Sequence, residues 1–193
     1  SIMALTFTNK AAKEMRERIN RLVGGDLAAH LYMGTFHSIF SRILRAEADH
    51  IGFNNNFTIY DESDSRSLLK AIIKEKGFDD KTYKPAAVHA KISMAKNNLV
   101  TPEIYRADKD YYDRDKHANM PGVGEIYEVY VQRCKQANAM DFDDLLMLTF
   151  QLFRDHEEIR QKYSDRFDFI LVDEYQDTNH VQMKIVMQLC KEK

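Results

Sequence analysis

The sequence predicts an α/β protein whose parallel sheet is interrupted once by a long helical insertion. Apolar, β-prone runs occur near both ends of the 193-residue chain, including 2–7 and 169–172. Residues at helical spacing follow these runs, and such alternation is typical of parallel sheets. Between them, helical periodicity continues without a convincing strand. We therefore expect the sheet domain in 1–61 and 138–193, and the all-helical insertion in 62–137.

The first segment alternates strands and helices. The run "IMALTF" predicts a strand, and residues 9–23 follow helical spacing behind it. The run "LYMGTF" (31–36) predicts a second strand that leads into a helix at about 37–50. A third, short strand is predicted at "FTIYD" (57–61).

The insertion is expected to consist of helices and their connections. In "SDSRSLLKAIIKEKG", Ser63 is a candidate N-cap and Gly77 a candidate terminator. Pro85 and Pro102 stand where first helical turns would begin. The polar stretch 108–122 predicts a flexible connection, and the aromatic-rich helix behind it carries Tyr127 and Tyr130 at the spacing of packing residues.

The last segment returns to an alternating pattern. Asp141 or its neighbours are expected to cap a helix, and a short charged helix is predicted at about 156–165. The apolar run at 169–172 then predicts a buried strand, and "HVQMKIVMQLC" predicts a final helix.

Composition excludes some classes of protein and leaves others open. No apolar stretch approaches the ~20 residues that span a bilayer, so no membrane partner is expected. Cys134 and Cys190 form no CxxC pair, which favours reduced thiols and a cytoplasmic location. The seven histidines are scattered along the sequence, so a structural zinc site is not expected. The net charge of −2 gives no global indication of nucleic-acid binding.

The string "FDFILVDEYQDTN" (167–179) carries the clearest chemical signal, because its apolar run stops at two adjacent acids, Asp173 and Glu174. Open parallel sheets bind ligands at the carboxyl ends of their strands. In nucleoside triphosphatases an acid there holds Mg²⁺ through the metal's hydration shell, and a neighbouring acid orients or deprotonates the attacking water. The alternative, from these residues alone, is a solvated strand end whose acids cap the next helix.

Four strings resemble, in order, motifs of the UvrD/Rep/PcrA family, the superfamily 1A DNA helicases. "DEYQDTN", followed by Gln182, resembles motif II. "ALTFTNKAAKEMRERI" (4–19) resembles motif Ia, "GTFHS" (34–38) resembles motif Ib, and "DFDDLL" (141–146) resembles the short motif that precedes the Walker B strand. Because the set is ordered and extends from residue 4 to residue 179, it is far more specific than any single string.

The resemblance implies a fold and an activity. It implies a partial RecA-like (P-loop NTPase) domain in 1–61 and 138–193, with the family's helical subdomain inserted at 62–137. It also implies ATP-driven movement on single-stranded DNA and unwinding of duplex, with ATP and Mg²⁺ as cofactors. Asp173 is then expected to hold Mg²⁺, mainly through water, and Glu174 is expected to be the catalytic base.

The resemblance further implies DNA contacts at Phe7, Asn9, Thr35, His37 and Phe142. The expected partners are single strands and junctions between single- and double-stranded DNA. Taken alone, Phe7 and Phe142 would be core aromatics, and His37 would be a helix cap. Stacking of an aromatic side chain on a base is the interaction that the family pattern favours instead.

The sequence also departs from the family pattern. It contains no GxxxxGKT phosphate loop, no later helicase motifs and no second RecA-like domain with its arginine finger. We therefore expect an excised, monomeric piece that does not turn over ATP by itself. Two alternatives stay open: a binding module for single-stranded DNA or a protein partner that hydrolyses nothing, and part of a helicase-nuclease subunit of the AddA/RecB type.

Overall fold

The computed structural model describes residues 1–25, 28 and 31–190. The chain forms two compact units, the first comprising Ser1–Asn55 with Leu148–Lys193 and the second Asn56–Met147. The predicted α/β class is confirmed, with short parallel sheets among many helices. The insertion expected at 62–137 lies inside the second unit, which extends beyond it on both sides.

The regular elements of the described residues are as follows. The strands are β1 Ile2–Thr6, β2 Tyr32–Thr35, β3 Thr58–Tyr60, β4 Ala139–Asp141 and β5 Phe169–Val172. The helices are α1 Asn9–Val23, α2 Phe36–Ala46, α3 Glu62–Glu75, α4 Pro85–Asn97, α5 Pro102–Ala107, α6 Lys109–His117, α7 Val123–Gln136, α8 Phe142–Asp155, α9 Glu157–Arg166 and α10 His180–Leu189. Two 3₁₀ turns lie at Ala48–Ile51 and Tyr175–Asp177.

The first unit is built on a three-stranded parallel sheet in the order β2-β1-β5. Strands from both ends of the chain thus share one sheet, as predicted. The central strand β1 is buried on both faces, with Met3 and Leu5 on one face and Ala4 and Thr6 on the other, as expected for a strand covered on both sides. Met15 and Ile19 of α1 pack beside Ala4 and Met33, so one face of this helix covers the sheet.

The second unit is a helical bundle with a small two-stranded parallel sheet, β3-β4. Its core is lined by fourteen buried side chains, among them Leu69, Ile72 and Ile126. Tyr127 and Tyr130 are fully buried in this core, which confirms that they are packing residues. All the regular elements between 62 and 137 are helices.

Several local expectations are corrected by the structure. Asp61, not Ser63, caps α3, because its carboxylate and that of Asp64 bond reciprocally to each other's backbone N–H groups. The stretch 108–122 contains helix α6 instead of a flexible connection, since Asp108 caps it and basic side chains fill its last turn.

One helix boundary and one strand differ from the sequence prediction. The helix expected at about 37–50 ends at Ala46, and the chain continues as the 3₁₀ turn Ala48–Ile51. Strand β4 is absent from the sequence prediction, because three residues are too few to show alternation. Among the described residues, no helix is both long enough and apolar enough to cross a bilayer.

Candidate functional site

The three strands of the first unit end side by side at one edge of its sheet. The register pairs Thr6 with Thr35 on one side of β1, and Leu5 with Val172 on the other. The backbone N–H of Asp173 donates to the carbonyl of Leu5 at 2.9 Å, which extends the ladder one residue further. The carboxyl ends of parallel strands are where open α/β sheets bind ligands. The acids therefore lie where the sequence predicted a site.

Asp173 and Glu174 leave β5 into solvent, and both side chains are exposed. Glu174 adopts a left-handed backbone conformation, with φ 52° and ψ 48°. This conformation is unfavourable for residues other than glycine and is found preferentially at functional positions. It turns the chain directly into the 3₁₀ turn Tyr175–Asp177, and the Gln176 amide donates to the Glu174 carboxylate.

The chemistry of these two side chains fits a magnesium ion. Mg²⁺ prefers carboxylate and water oxygens, and it usually keeps several of its waters. Within the described part of the chain, no cationic side chain forms an ion pair with the Asp173 carboxylate, and this carboxylate lies in solvent. Asp173 is thus able to hold a hydrated ion without first breaking a salt bridge.

Strand β5 differs from its prediction as a buried strand. Phe169 is 64% exposed and Leu171 is 57% exposed, while Ile170 and Val172 are half-buried. The physical reason is its place at the edge of the sheet, where the described residues leave one face of it uncovered. An open groove of ≈ 460 Å³ lies beside this face, and Leu171, Asp173 and residues of α1 line it.

The turn between β1 and α1 carries two of the predicted DNA contacts. The Thr8 hydroxyl caps α1 by accepting from the Ala11 N–H at 3.1 Å, and Asn9, exposed, is the first residue of the helix. Phe7 is half-buried, and its ring centroid lies 5.4 Å from that of Phe36. Phe7 thus rests on the core while keeping part of its ring accessible.

The turn between β2 and α2 carries two more of the predicted DNA contacts, Thr35 and His37, and exposes them to different degrees. Thr35 is only 7% exposed, and its hydroxyl accepts from the Ser38 N–H at 3.2 Å. Thr35, and not His37, is therefore the helix cap, while His37 lies half-exposed in the first turn. A Cβ at Gly34 would lie 2.6 Å from the Ser38 hydroxyl oxygen, so any larger residue here would displace that side chain.

Phe142 belongs to the second unit and is the first residue of α8. Its side chain is 51% exposed, although acids flank it on both sides. Asp141 caps the helix, as predicted: its Oδ1 accepts from the Asp144 N–H at 2.8 Å, and the Asp144 Oδ2 accepts from the Asp141 N–H at 3.1 Å. This reciprocal pair fixes the first turn of the helix.

Sequence reasoning missed the partner of these acids, Lys96 of α4. Its ammonium is 1% exposed and lies 2.7 Å from the Asp141 Oδ2 and 2.8 Å from the Asp144 Oδ1. The Tyr130 hydroxyl donates to the same Asp141 oxygen at 2.9 Å. A lysine within a helical pattern is ordinarily read as a solvated residue, so only its i−4 neighbour Ile92, which is buried, hints at an inward-facing side chain.

The pKa values of Lys96, Asp141 and Asp144 are all shifted from their ordinary values. Burial alone would lower the pKa of Lys96, but the two carboxylates outweigh it and raise this pKa well above its ordinary value. Burial and the neighbouring Asp141 carboxylate raise the pKa of Asp144 to about 7. Burial acts on Asp141 in the same direction, but Lys96 outweighs it and lowers the pKa of Asp141. Lys96 and Asp141 therefore form the ionised pair, and Asp144 titrates beside it.

Two of the scattered histidines are brought together elsewhere in the first unit. His50, His156 and Glu158 each offer a ligand atom, and these atoms lie within 4.8 Å of one another. The His50 and His156 rings are 5.1 Å apart at their centroids. Imidazole and carboxylate are ligands that zinc accepts, so this surface group is a second place with metal-ligand chemistry. The sequence gives no sign of this group, because His50 and His156 lie more than a hundred residues apart.

Comparison with known proteins agrees with the motif pattern. Residues 1–193 match the family model described as the UvrD/REP helicase N-terminal domain. The chain is 43% identical over 189 residues to the ATP-dependent DNA helicase PcrA of Staphylococcus aureus, a match that covers 98% of this chain and 25% of that protein. It is 41% identical over 192 residues to the PcrA helicase of Bacillus subtilis and 41% identical over 190 residues to that of Leuconostoc citreum.

The chain thus spans about a quarter of the length of the curated relatives it matches. Its likeness to them covers almost all of its own residues, including the strand ends and helix starts described above. This chain belongs to the family of the UvrD/REP helicase N-terminal domain.

Proposed function

We propose that the chain is a segment of an ATP-dependent DNA helicase that moves along single-stranded DNA and unwinds duplex. The observation that carries this proposal is the Asp173–Glu174 pair at the common carboxyl edge of three parallel strands, with Glu174 held in a left-handed conformation. Its relatives at 41–43% identity support the proposal, since each is named as an ATP-dependent DNA helicase.

Asp173 is proposed as the residue that holds Mg²⁺, mainly through water. Bound with ATP, Mg²⁺ neutralises charge on the phosphates. Asp173 suits this role because its N–H is fixed by the Leu5 carbonyl while its carboxylate faces solvent. The backbone is thus rigid at the residue where an ion must be placed, and the oxygens stay available.

Glu174 is proposed as the general base that takes a proton from the attacking water. A base must reach beyond the Mg²⁺ ligand without competing for the ion, and the left-handed turn sends Glu174 away from the direction of β5. The Gln176 amide restricts its carboxylate further. A positioned base typically contributes about 10²- to 10⁴-fold to a rate.

The residues proposed to contact single-stranded DNA directly are Phe7, Asn9, His37 and Phe142. The exposed part of each aromatic ring can stack on a base, and such stacking is sequence-tolerant, as movement along DNA requires. Thr35 was expected to contact DNA as well. Because its hydroxyl is committed to capping α2, we propose that it acts by shaping the turn that presents His37.

The chain by itself is proposed not to hydrolyse ATP. Its sequence contains no GxxxxGKT string, whose backbone amides and lysine cradle the phosphates in P-loop enzymes. Two acids without such a cradle repel a polyanionic nucleotide. Sustained phosphate release by the purified chain, abolished by Glu174→Gln, would contradict this proposal.

The test is the Glu174→Gln variant of the full-length helicase that contains this segment. We expect nucleotide binding to persist and hydrolysis to fall by about 10²- to 10⁴-fold, because only the proton acceptor is removed. Asp173→Asn should instead weaken the response of the rate to Mg²⁺. Glu157→Gln, which changes an exposed acid of α9, is the matched control and should retain the parental rate. Parental hydrolysis by Glu174→Gln would refute the role of Glu174.

A further inference from the structure

The three acids of the "DFDDLL" segment are not among the proposed DNA contacts, yet they flank Phe142, which is. Phe142 is half-exposed, whereas Asp141 and Asp144 are 3% and 9% exposed. An aromatic side chain on a helix start is useful for stacking only if that helix start is held still. The acids therefore raise the question of what fixes the turn that carries Phe142.

Lys96 of α4 is attached to the first turn of α8 through two of these acids. Its ammonium contacts one oxygen of Asp141 and one oxygen of Asp144, at 2.7 and 2.8 Å. The other oxygen of each acid closes the capping box around the first turn of α8. Each carboxylate is therefore shared between the helix start and the lysine, so the position of Lys96 determines the position of the turn.

A second contact extends this attachment by one residue. The Asn97 amide, next to Lys96 on α4, donates to the Asp143 Oδ1 at 2.8 Å and to the Ser93 carbonyl at 2.9 Å. The residues on both sides of Phe142 are thus attached to the end of α4. Phe142 itself is left as the exposed side chain between two anchored neighbours.

Burial makes this attachment strong. An uncompensated charge inside a protein is costly, so Lys96 cannot leave its acids without leaving three buried charged groups unpaired. The Tyr130 hydroxyl on Asp141, and its ring 5.0 Å from the Lys96 ammonium, hold the cluster from a third element, α7. The arrangement therefore has few alternative geometries.

We propose that Lys96 is a positioning residue that holds Phe142 in the orientation needed to stack on a DNA base. The inference rests on the proposed function for the stacking step, but the attachment of the turn that carries Phe142 stands on the contacts alone. Lys96 touches no DNA in this scheme. It acts through Asp141 and Asp144.

The first experiment measures the orientation of residue 142 without DNA. The chain contains no tryptophan, so Phe142→Trp introduces a single fluorescent reporter at this position. Time-resolved anisotropy then separates the tumbling of the chain from nanosecond motion of the side chain. With Lys96 present we expect little fast motion, and with Lys96→Met we expect a large fast component.

The matched control is Lys91→Met in the same reporter chain. Lys91 pairs with another buried acid, Asp115, at 2.8 Å on the same helix α4, but Asp115 belongs to α6 and not to the "DFDDLL" segment. This variant should lose stability while the motion of Trp at position 142 stays parental. Thermal unfolding and circular dichroism identify the temperature range in which every variant is folded.

Lys96→Met leaves two buried acids unpaired and is at risk of not folding. The triple variant Lys96→Met, Asp141→Asn, Asp144→Asn removes all three charges, and neutral replacements of buried ion pairs are commonly tolerated. It should fold and show the fast motion. A fixed reporter in the folded triple variant, or equal mobility in Lys91→Met, would overturn the proposal.

The second experiment uses the full-length helicase and measures the Kd for an oligothymidylate strand. Loss of an oriented stack should weaken binding per folded molecule by about 5-fold or more in the triple variant, with Lys91→Met near parental. If the reporter becomes mobile while the affinity is unchanged, Phe142 does not stack, and the proposed DNA contact fails while the positioning role stands. If both change together, both inferences are supported.

Discussion

Replacing Asp144 with asparagine should remove a pH-dependent contribution to the stability of this chain. Asp144 faces Lys96 from α4, Tyr127 and Cys134 from α7, and Asp141 at its own helix start. Burial and the Asp141 carboxylate raise its pKa to about 7 from an ordinary 3.8. The folded chain therefore binds this proton more tightly than the unfolded chain does.

Stability and proton binding are linked, because a proton held more tightly by the folded chain stabilises that state. A group whose pKa is raised by folding contributes its full stability at a pH below its pKa in the unfolded chain. This contribution is lost as the pH rises through its pKa in the folded chain. The slope is about 1.4 kcal/mol per pH unit between these limits. From pH 5 to pH 8 the parent should lose about 3 kcal/mol through Asp144, a change that Asp144→Asn cannot show. The variant should therefore gain stability relative to the parent as the pH rises.

The assay is urea unfolding of both chains at pH 5, 6, 7 and 8. Differences between the two free energies of unfolding cancel the titration of every group that they share. Asp80→Asn, an exposed loop substitution, is the control and should stay within about 0.5 kcal/mol of the parent throughout. A difference between parent and Asp144→Asn that is constant with pH, or that shrinks as the pH rises, would refute the reasoning.

Three other perturbations have defined outcomes. Phe142→Ala should cost less than about 1 kcal/mol of stability, because the side chain is 51% exposed, whereas Tyr127→Ala in the core should cost about 3–5 kcal/mol. Urea unfolding measures both costs, and equal costs would show that Phe142 is a core residue. Glu174→Gly should raise the melting temperature, since glycine adopts φ 52° without the cost of roughly 1 kcal/mol that other residues incur; a lowered melting temperature would exclude strain at this residue. Burial raises the pKa of Glu47, but hydrogen bonds from Lys162 and a tyrosine outweigh it and hold this pKa below its ordinary value. Glu47→Gln should therefore destabilise at pH 7 and progressively less as the pH falls below about 4.5, and the same loss at pH 3 would contradict that linkage.

The sequence by itself determined the elements that depend on local patterns. Strand β1 and helix α1 follow from an apolar run and from helical spacing behind it, because both signals lie within a few residues of one another. Asp141 could be named as a helix cap, since a capping side chain bonds to backbone only three residues away. Asp173 and Glu174 could be singled out because motif order along the chain is itself a sequence property.

Only the tertiary structure decided which distant residues meet. Lys96 lies 45 residues from Asp141, and although its neighbour Ile92 hints that Lys96 faces inward, no local pattern identifies the acid that it meets. The exposure of β5 depends on its place at the sheet edge, and the meeting of His50 with His156 depends on a turn and a helix start packing side by side. Burial and long-range pairing are set by the packing of whole elements, and the free energy of a buried charge depends on that packing and not on its neighbours in sequence.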